Sequence, residues 1–173
     1  MSNKQVGTKP YQTPRNADLG TLAYQDHKTV YFNVTTTTQT GSGGIAGDQT
    51  FVWNSVTYDN LGGFDTSTGR YTAPESGIYM FTYTMTPSSA SQSSRYFRAR
   101  LNRVRNGSTV TLYNPHQTIS DASGDDDYNS LSATVIEQVK AGDSFYISYG
   151  SSIDASNYAF YVDMNWFSGV KLV

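Results

Sequence analysis

Between Gly77 and Met85 the chain alternates without a break. Tyr79, Phe81, Tyr83 and Met85 fall on one parity, and Ile78, Met80, Thr82 and Thr84 on the other. A period of two puts every second side chain on the same face of a strand. Three aromatic rings in succession on one face need a second layer to cover them. A helical period of 3.6 would scatter the same rings around a cylinder. The segment is therefore a strand packed on one side, and the rest of the fold must supply what it packs against.

Similar signals recur at short intervals. Thr29–Thr38 is β-branched and alternating. Gln49–Tyr58 is aromatic and β-branched, and a strand begins at Gly69-Arg70-Tyr71. Arg95–Arg105, Thr109–Tyr113, Leu131–Val139, Ser144–Tyr149, Tyr158–Asn165 and Trp166–Val173 follow. Turn chemistry separates them: Gly41–Asp48, Gly62-Gly63, Asp65–Gly69, the Ser-rich Pro87–Ser94, Asn106-Gly107, the acidic Asp121–Asn129 and Lys140-Ala141-Gly142-Asp143. Asn-Gly is the strongest of these, because its hairpin turn needs positive φ. About ten short strands at this spacing predict an all-β sandwich or jelly roll.

Composition agrees. Charged residues make up 15% of the 173, below the usual quarter or so. Aromatics reach 14%, with 14 Tyr, which excludes the disordered class. There is no Cys, so neither disulfides nor thiolate metal sites contribute. A net charge of −2 gives no electrostatic reason to expect nucleic acid. No apolar run reaches membrane-spanning length. Met1–Pro10 lacks the apolar stretch of a signal peptide, so the sequons Asn33-Val34-Thr35 and Asn106-Gly107-Ser108 are read as chance. Residues 1–28 carry Gly7, Pro10, Pro14 and Gly20 with no period-two pattern, and are expected to form an extended arm before a domain at 29–173.

Arg95–Arg105 presents a conflict. Phe97, Ala99 and Leu101 share the inward parity, while Tyr96, Arg98 and Arg100 point out. Keeping that parity would bury Arg103 and Arg105. A bulge near Asn102 is the expected remedy, turning Val104 inward.

The stretch from Trp53 to Tyr83 resembles the signature of the globular-head family of complement component 1q, which shares its jelly roll with tumour necrosis factor. That signature sets an aromatic, Asn or Asp six residues on, an aromatic five later, another seven later, and a closing Gly-x-Tyr-x-Phe-x-Tyr. Trp53, Asp59, Phe64, Tyr71 and Gly77-Ile78-Tyr79-Met80-Phe81-Thr82-Tyr83 fit every spacing. Trp53 and Tyr71 stand where the family usually has Phe. Val139–Asp143 and Trp166–Leu172, which includes Phe167, are similar to its later turn and closing strand. The resemblance implies a ten-stranded jelly roll, a homotrimer, and core and trimer packing by Trp53, Phe64, Tyr71, Tyr79, Phe81, Tyr83 and Phe167.

Pro14–Asp26 resembles a short segment of structural proteins of tailed bacteriophages, especially those of marine hosts, that precedes a binding head. It implies a virion protein anchored through Pro14, Leu19, Leu22 and Tyr24 to other virion proteins.

Catalytic patterns are absent from the sequence. His27 and His116 sit in no ligand motif and are expected to be exposed, His116 in a loop. No Gly-x-Ser-x-Gly elbow or phosphate loop occurs, so binding, not catalysis, is expected. No cofactor is expected unless Asp121, Asp125 and Asp127 hold Ca²⁺. The Arg95–Arg105 set is read as an outward strand face with salt bridges between protomers, with an anionic glycan or a capsid surface as the alternative ligand. Tyr113, Tyr128, Tyr149 and Tyr158 are placed to stack on sugars. The expected function is a trimeric virion head that attaches to a host-surface glycan or protein through Ser91, Gln92, Asp125, Asp126 and Tyr128. The alternatives are a capsid decoration protein and a secreted lectin-like module; a glycan depolymerase has no paired carboxylates to support it.

Overall fold

The computed structural model describes residues 29–37, 48–89, 95–119, 130–151 and 158–173. Among them are fourteen strands and no helix: β1 (Tyr31–Thr35), β2 (Gln49–Thr50), β3 (Ser55–Asp59), β4 (Phe64–Asp65), β5 (Arg70–Thr72), β6 (Gly77–Met85), β7 (Pro87–Ser89), β8 (Arg95–Arg105), β9 (Ser108–Tyr113), β10 (His116–Ile119), β11 (Leu131–Val139), β12 (Ser144–Ser151), β13 (Tyr158–Phe160) and β14 (Trp166–Lys171). One sheet has the order β11-β6-β14-β1-β3. A second has β10-β8-β12-β5-β4, with β9 on β8 and β2 on β12, and β13 pairs β7 separately. All strand pairs are antiparallel. The all-β jelly-roll class is as the sequence predicts.

The strand count differs from the expected ten for identifiable reasons. Residues 49–58 do not form one strand. β2 pairs β12 in the second sheet, whereas β3 pairs β1 in the first. The chain crosses between sheets in the intervening stretch, which carries Phe51 and Trp53 into the core, at 2% and 0% exposure. Alternation cannot reveal where a chain changes sheets. β4, β7 and β10 lack alternating apolar residues and are strands only because a neighbour offers a partner; β10 takes His116 out of the expected loop and pairs it with Arg98.

The core lies between the two large sheets and is mostly aromatic. Trp53, Tyr71, Tyr79, Phe81, Tyr83 and Phe167 are fully buried, and Phe64 packs against them partly buried. Phe32 is the hub. It stacks on Tyr71 at 4.0 Å between centroids, meets Phe167 edge-on at 4.9 Å, and touches Phe64 and Phe81. Such pairs add about 0.5–1.5 kcal/mol each beyond the area they bury. Gly169 lies beneath Phe32 and Phe81. A methyl group there would collide with both rings.

The conflict in β8 is resolved by ion pairing and not by a parity change. A register shift does occur between Leu101 and Asn102, but only toward β9. Toward β12 the register runs straight, with Leu101 opposite Ile147, Arg103 opposite Phe145 and Val104 opposite Ser144. Val104 therefore does not turn inward, and Arg103 and Arg105 keep the core-facing parity. Arg103 pairs with Glu137 of β11, joining the two sheets. Arg105 forks onto Asp143, Nε to Oδ1 at 2.8 Å and Nη2 to Oδ2 at 2.5 Å. Asp143 is 2% exposed and also accepts the Lys140 N–H. Two inward cations thus meet two acids at one end of the sandwich, which limits the desolvation cost of each.

Two outcomes follow. Gly169→Ala is expected to cost about 1–3 kcal/mol, since a well-packed core yields poorly to an added methyl; urea denaturation measures it. The hydrogen bonds from Arg105 hold the Asp143 carboxyl below the usual carboxylate range. A depressed carboxyl pKa stabilises above the unfolded value, and that stabilisation disappears as pH falls through the folded value. Asp143→Asn is therefore expected to be less stable than the parent at neutral pH, with the gap closing below about pH 4. A gap independent of pH would mean that Asp143 acts by shape alone.

Candidate interaction surfaces

The two ends of the sandwich are built differently. At one end the connections are tight and described. Asn106 and Gly107 take φ of 51° and 76°, and Gly142 takes 87°. The first described residues leave from this end too, because the Lys171 N–H donates to the Val30 carbonyl. At the opposite end, the strand partners gather the borders of the remaining segments. Ser89 lies opposite Tyr158, Ile119 opposite Arg95, Leu131 opposite Met85 and Ser151 opposite Phe97. Thr35 lies opposite Trp166 and Gln49 opposite Tyr149, so the borders of segments 38–47, 90–94, 120–129 and 152–157 all lie at this end. Asn165 ties this end together. It accepts the Thr86 N–H at 2.7 Å and donates to the Tyr161 carbonyl, while the Thr86 hydroxyl meets Ser130 at 2.8 Å.

The outer faces of the two large sheets also differ. That of β11-β6-β14-β1-β3 presents Ile78, Met80, Thr82 and Thr84 of β6, Ser132, Thr134 and Ile136 of β11, Trp166, Ser168 and Val170 of β14, and Tyr31, Asn33 and Thr35 of β1. No charged residue stands among them. Ile136 is 63% exposed and Tyr58, beside Tyr31, is 58%. The outer face of the second sheet is polar and cationic. Asp48 bridges Arg98 and Arg100, Arg100 Nε donates to Asn114 Oδ1 at 2.9 Å, and the Arg70 guanidinium lies 4.2 Å above the Tyr146 ring. Asn102, 4% exposed, is held by Ser148 and Thr111.

The residues expected to act fall into three groups. Ser91, Gln92, Asp121, Asp125, Asp126, Asp127 and Tyr128 lie outside the described residues, as do Pro14, Leu19, Leu22, Tyr24 and His27. The described residues that border segments 90–94 and 120–129 lie at one end of the sandwich. Among the described residues, no three acids or histidines cluster as a metal site. Tyr113 is exposed, but Tyr149 is not available to a sugar: it is 6% exposed and wedged edge-on between Phe51 and Phe160. The aromatic set from Trp53 to Phe167 packs inside the protomer, and the opposite parity of the same strands forms the outer face. Sequence reasoning did not find that uncharged face, although the alternation in β6, β11 and β14 carried the signal.

Residues 31–172 match the C1q domain family. The chain belongs to the C1q domain family. Solved structures extend the likeness at the level of fold. Murine APRIL at pH 5.0 superposes with a TM-score of 0.63 at 13% identity, covering 83% of this chain and 99% of that one. The globular domain of zebrafish complement 1qA gives 0.55 at 18%, covering 84% and 98%. Eiger TNF from S. frugiperda gives 0.57 at 17%, covering 84% and 93%. No curated protein matches the sequence. In this C1q domain the buried Trp53 Nε1 has no hydrogen-bond partner among the described residues.

The arginine face of the C1q domain gives a direct test of its electrostatics. Asp48→Asn leaves Arg98 and Arg100 without their shared carboxylate. It is expected to cost about 1 kcal/mol or less, falling as salt rises. A melting series from low to high ionic strength measures it.

Proposed function

We propose that this chain is a homotrimeric binding head displayed on a virion, with residues 1–28 as its anchor and the end bordered by segments 90–94, 120–129 and 152–157 as its contact with a host-surface glycan or protein. The polarity of the sandwich carries the reading: chain entry and tight turns at one end, the borders of four segments, 38–47 among them, at the other. An anchor and a contact surface placed at opposite ends do not compete for space. Self-association is supported by the uncharged outer face of the five-stranded sheet, since related copies of a charged face would oppose like charges. The similarity of Pro14–Asp26 to segments of phage structural proteins supports the virion assignment. Affinity then arises from several weak contacts multiplied over three copies, and the head binds without transforming its ligand.

Removal of residues 1–28 is expected to leave the particle mass in solution at three times the chain mass of 19.0 kDa, measured by light scattering, while incorporation into virions is lost. Dissociation on removal would make the arm an assembly element and overturn the anchor. The isolated full chain is expected to block adsorption of particles to host cells. Unimpaired adsorption by particles that lack the protein, together with their loss of heat resistance, would instead identify a capsid decoration protein.

A further inference from the structure

The end of the sandwich where the chain enters carries a concavity that the proposed contact does not use. It encloses about 760 Å³, is mostly apolar, and is walled by Ser76, Ile78, Val139, Ala141 and Val173. Pockets that bury small ligands span roughly 300–1,000 Å³. The turn beside it is fixed, because the Ala141 N–H donates to the Ser76 hydroxyl at 2.9 Å and the Gly142 N–H to the Ala73 carbonyl at 2.8 Å. Two cations, Arg105 and Lys140, also line the space. Arg105 is committed to Asp143, whereas no carboxylate pairs with Lys140 among the described residues.

The strand register leads from the chain entry to this pocket. Tyr31 lies opposite Val170, and the Lys171 N–H donates to the Val30 carbonyl, which puts Thr29 level with Leu172. The Leu172 N–H donates to the Ile78 carbonyl, and Ile78 lies opposite Gln138. Asn60 Nδ2 holds the Thr29 carbonyl at 2.8 Å and so pins the point where residues 1–28 join the sheet. Neighbouring strands lie about 4.8 Å apart, so Thr29 stands about 10 Å from Ile78 and about 14 Å from Gln138. The chain from Tyr24 to Thr29 spans at most about 17 Å when extended.

The sequence of that stretch suits the crossing. Gln25, Asp26, His27 and Lys28 are all polar, and Tyr24 and Leu22 are the first large apolar residues ahead of them. Between Asn16 and His27 there are two acids, Asp18 and Asp26, and no Lys or Arg, which complements Lys140. Tethering favours this occupant over a separate molecule. A short flexible link holds its segment at an effective concentration in the millimolar range, so a contact too weak between free partners persists within one chain.

We propose that Leu22 and Tyr24 seat in this pocket of the same chain, with Asp26 beside Lys140. The arm then leaves the head in a set direction, and the residues ahead of Leu22 remain for anchoring. The seating itself does not depend on the virion reading.

The chain contains no Cys, so a pair of introduced thiols reports one contact. A disulfide needs Cα atoms within about 7 Å. Ala23→Cys and Ala141→Cys together place one thiol between the two seated residues and one on the pocket wall of the full-length protein. Their effective concentration, titrated against glutathione, is expected to exceed that of the same pair carrying Leu22→Ser and Tyr24→Ser by about tenfold or more. Asp26→Asn is expected to lower it about threefold at low salt and not at high salt. These positions lie in the arm or on an exposed turn, so circular dichroism should show every variant folded. The disulfide should close within one chain, with no dimer on a non-reducing gel. Equal effective concentrations with and without Leu22 and Tyr24 overturn the seating. A crosslinked dimer assigns the pocket to a neighbour's arm and overturns the same-chain contact. An Asp26→Asn variant that matches the parent at low salt overturns the pairing with Lys140.

Discussion

The contact on which this fold depends is the meeting of Phe32, Tyr71, Phe81 and Phe167 between the sheets. Phe32 comes from β1, Tyr71 from β5, Phe81 from β6 and Phe167 from β14, so one cluster draws on strands of both layers. The chain has no disulfide to hold those layers together. The rings can approach so closely because the residue beneath them is Gly169, which has no side chain. Gly169 thus makes room for the Phe32 and Phe81 rings of the neighbouring strands to lie over β14. The orphaned Trp53 Nε1 is a cost this arrangement bears in return for a ring large enough to touch both Phe51 and Phe167.

Much of this was legible in the chain itself. The alternation in Gly77–Met85 names the buried side of β6, and Phe97, Ala99 and Leu101 name that of β8; all are buried. The Asn106-Gly107 turn was readable because its backbone needs residues that tolerate positive φ. Local pattern failed where partners decide the outcome. Arg103 and Arg105 seemed to demand a change of parity, because Glu137 and Asp143, more than thirty residues away in sequence, cannot be anticipated from β8. β10 exists because β8 offers an edge, and residues 49–58 divide because their two ends serve different sheets. Tyr149, at the end of its expected strand, looked available to a sugar, but Phe51 and Phe160 enclose it.

The uncharged face illustrates an intermediate case. Each of its strands could be assigned an outward parity from sequence, yet only the register aligns Ile136 with Met80 and Val170, and Thr134 with Thr82 and Ser168. A slip of two residues in β11 would keep every parity and still mix the apolar row with the hydroxyl row. Chemistry that spans strands is encoded in alignment, which hydrogen bonding across the sheet supplies and linear pattern does not.

The Asn165 tie has a consequence for how such a chain can diversify. Its bonds to Thr86 and Tyr161 hold the strand ends with backbone and near-backbone groups, and none of them lies within segments 90–94, 120–129 or 152–157. Those segments can exchange sequence while the frame that presents them stays the same. Under the proposed contact, a lineage retargets its surface by rewriting these stretches, leaving inheritance of the architecture to the frame.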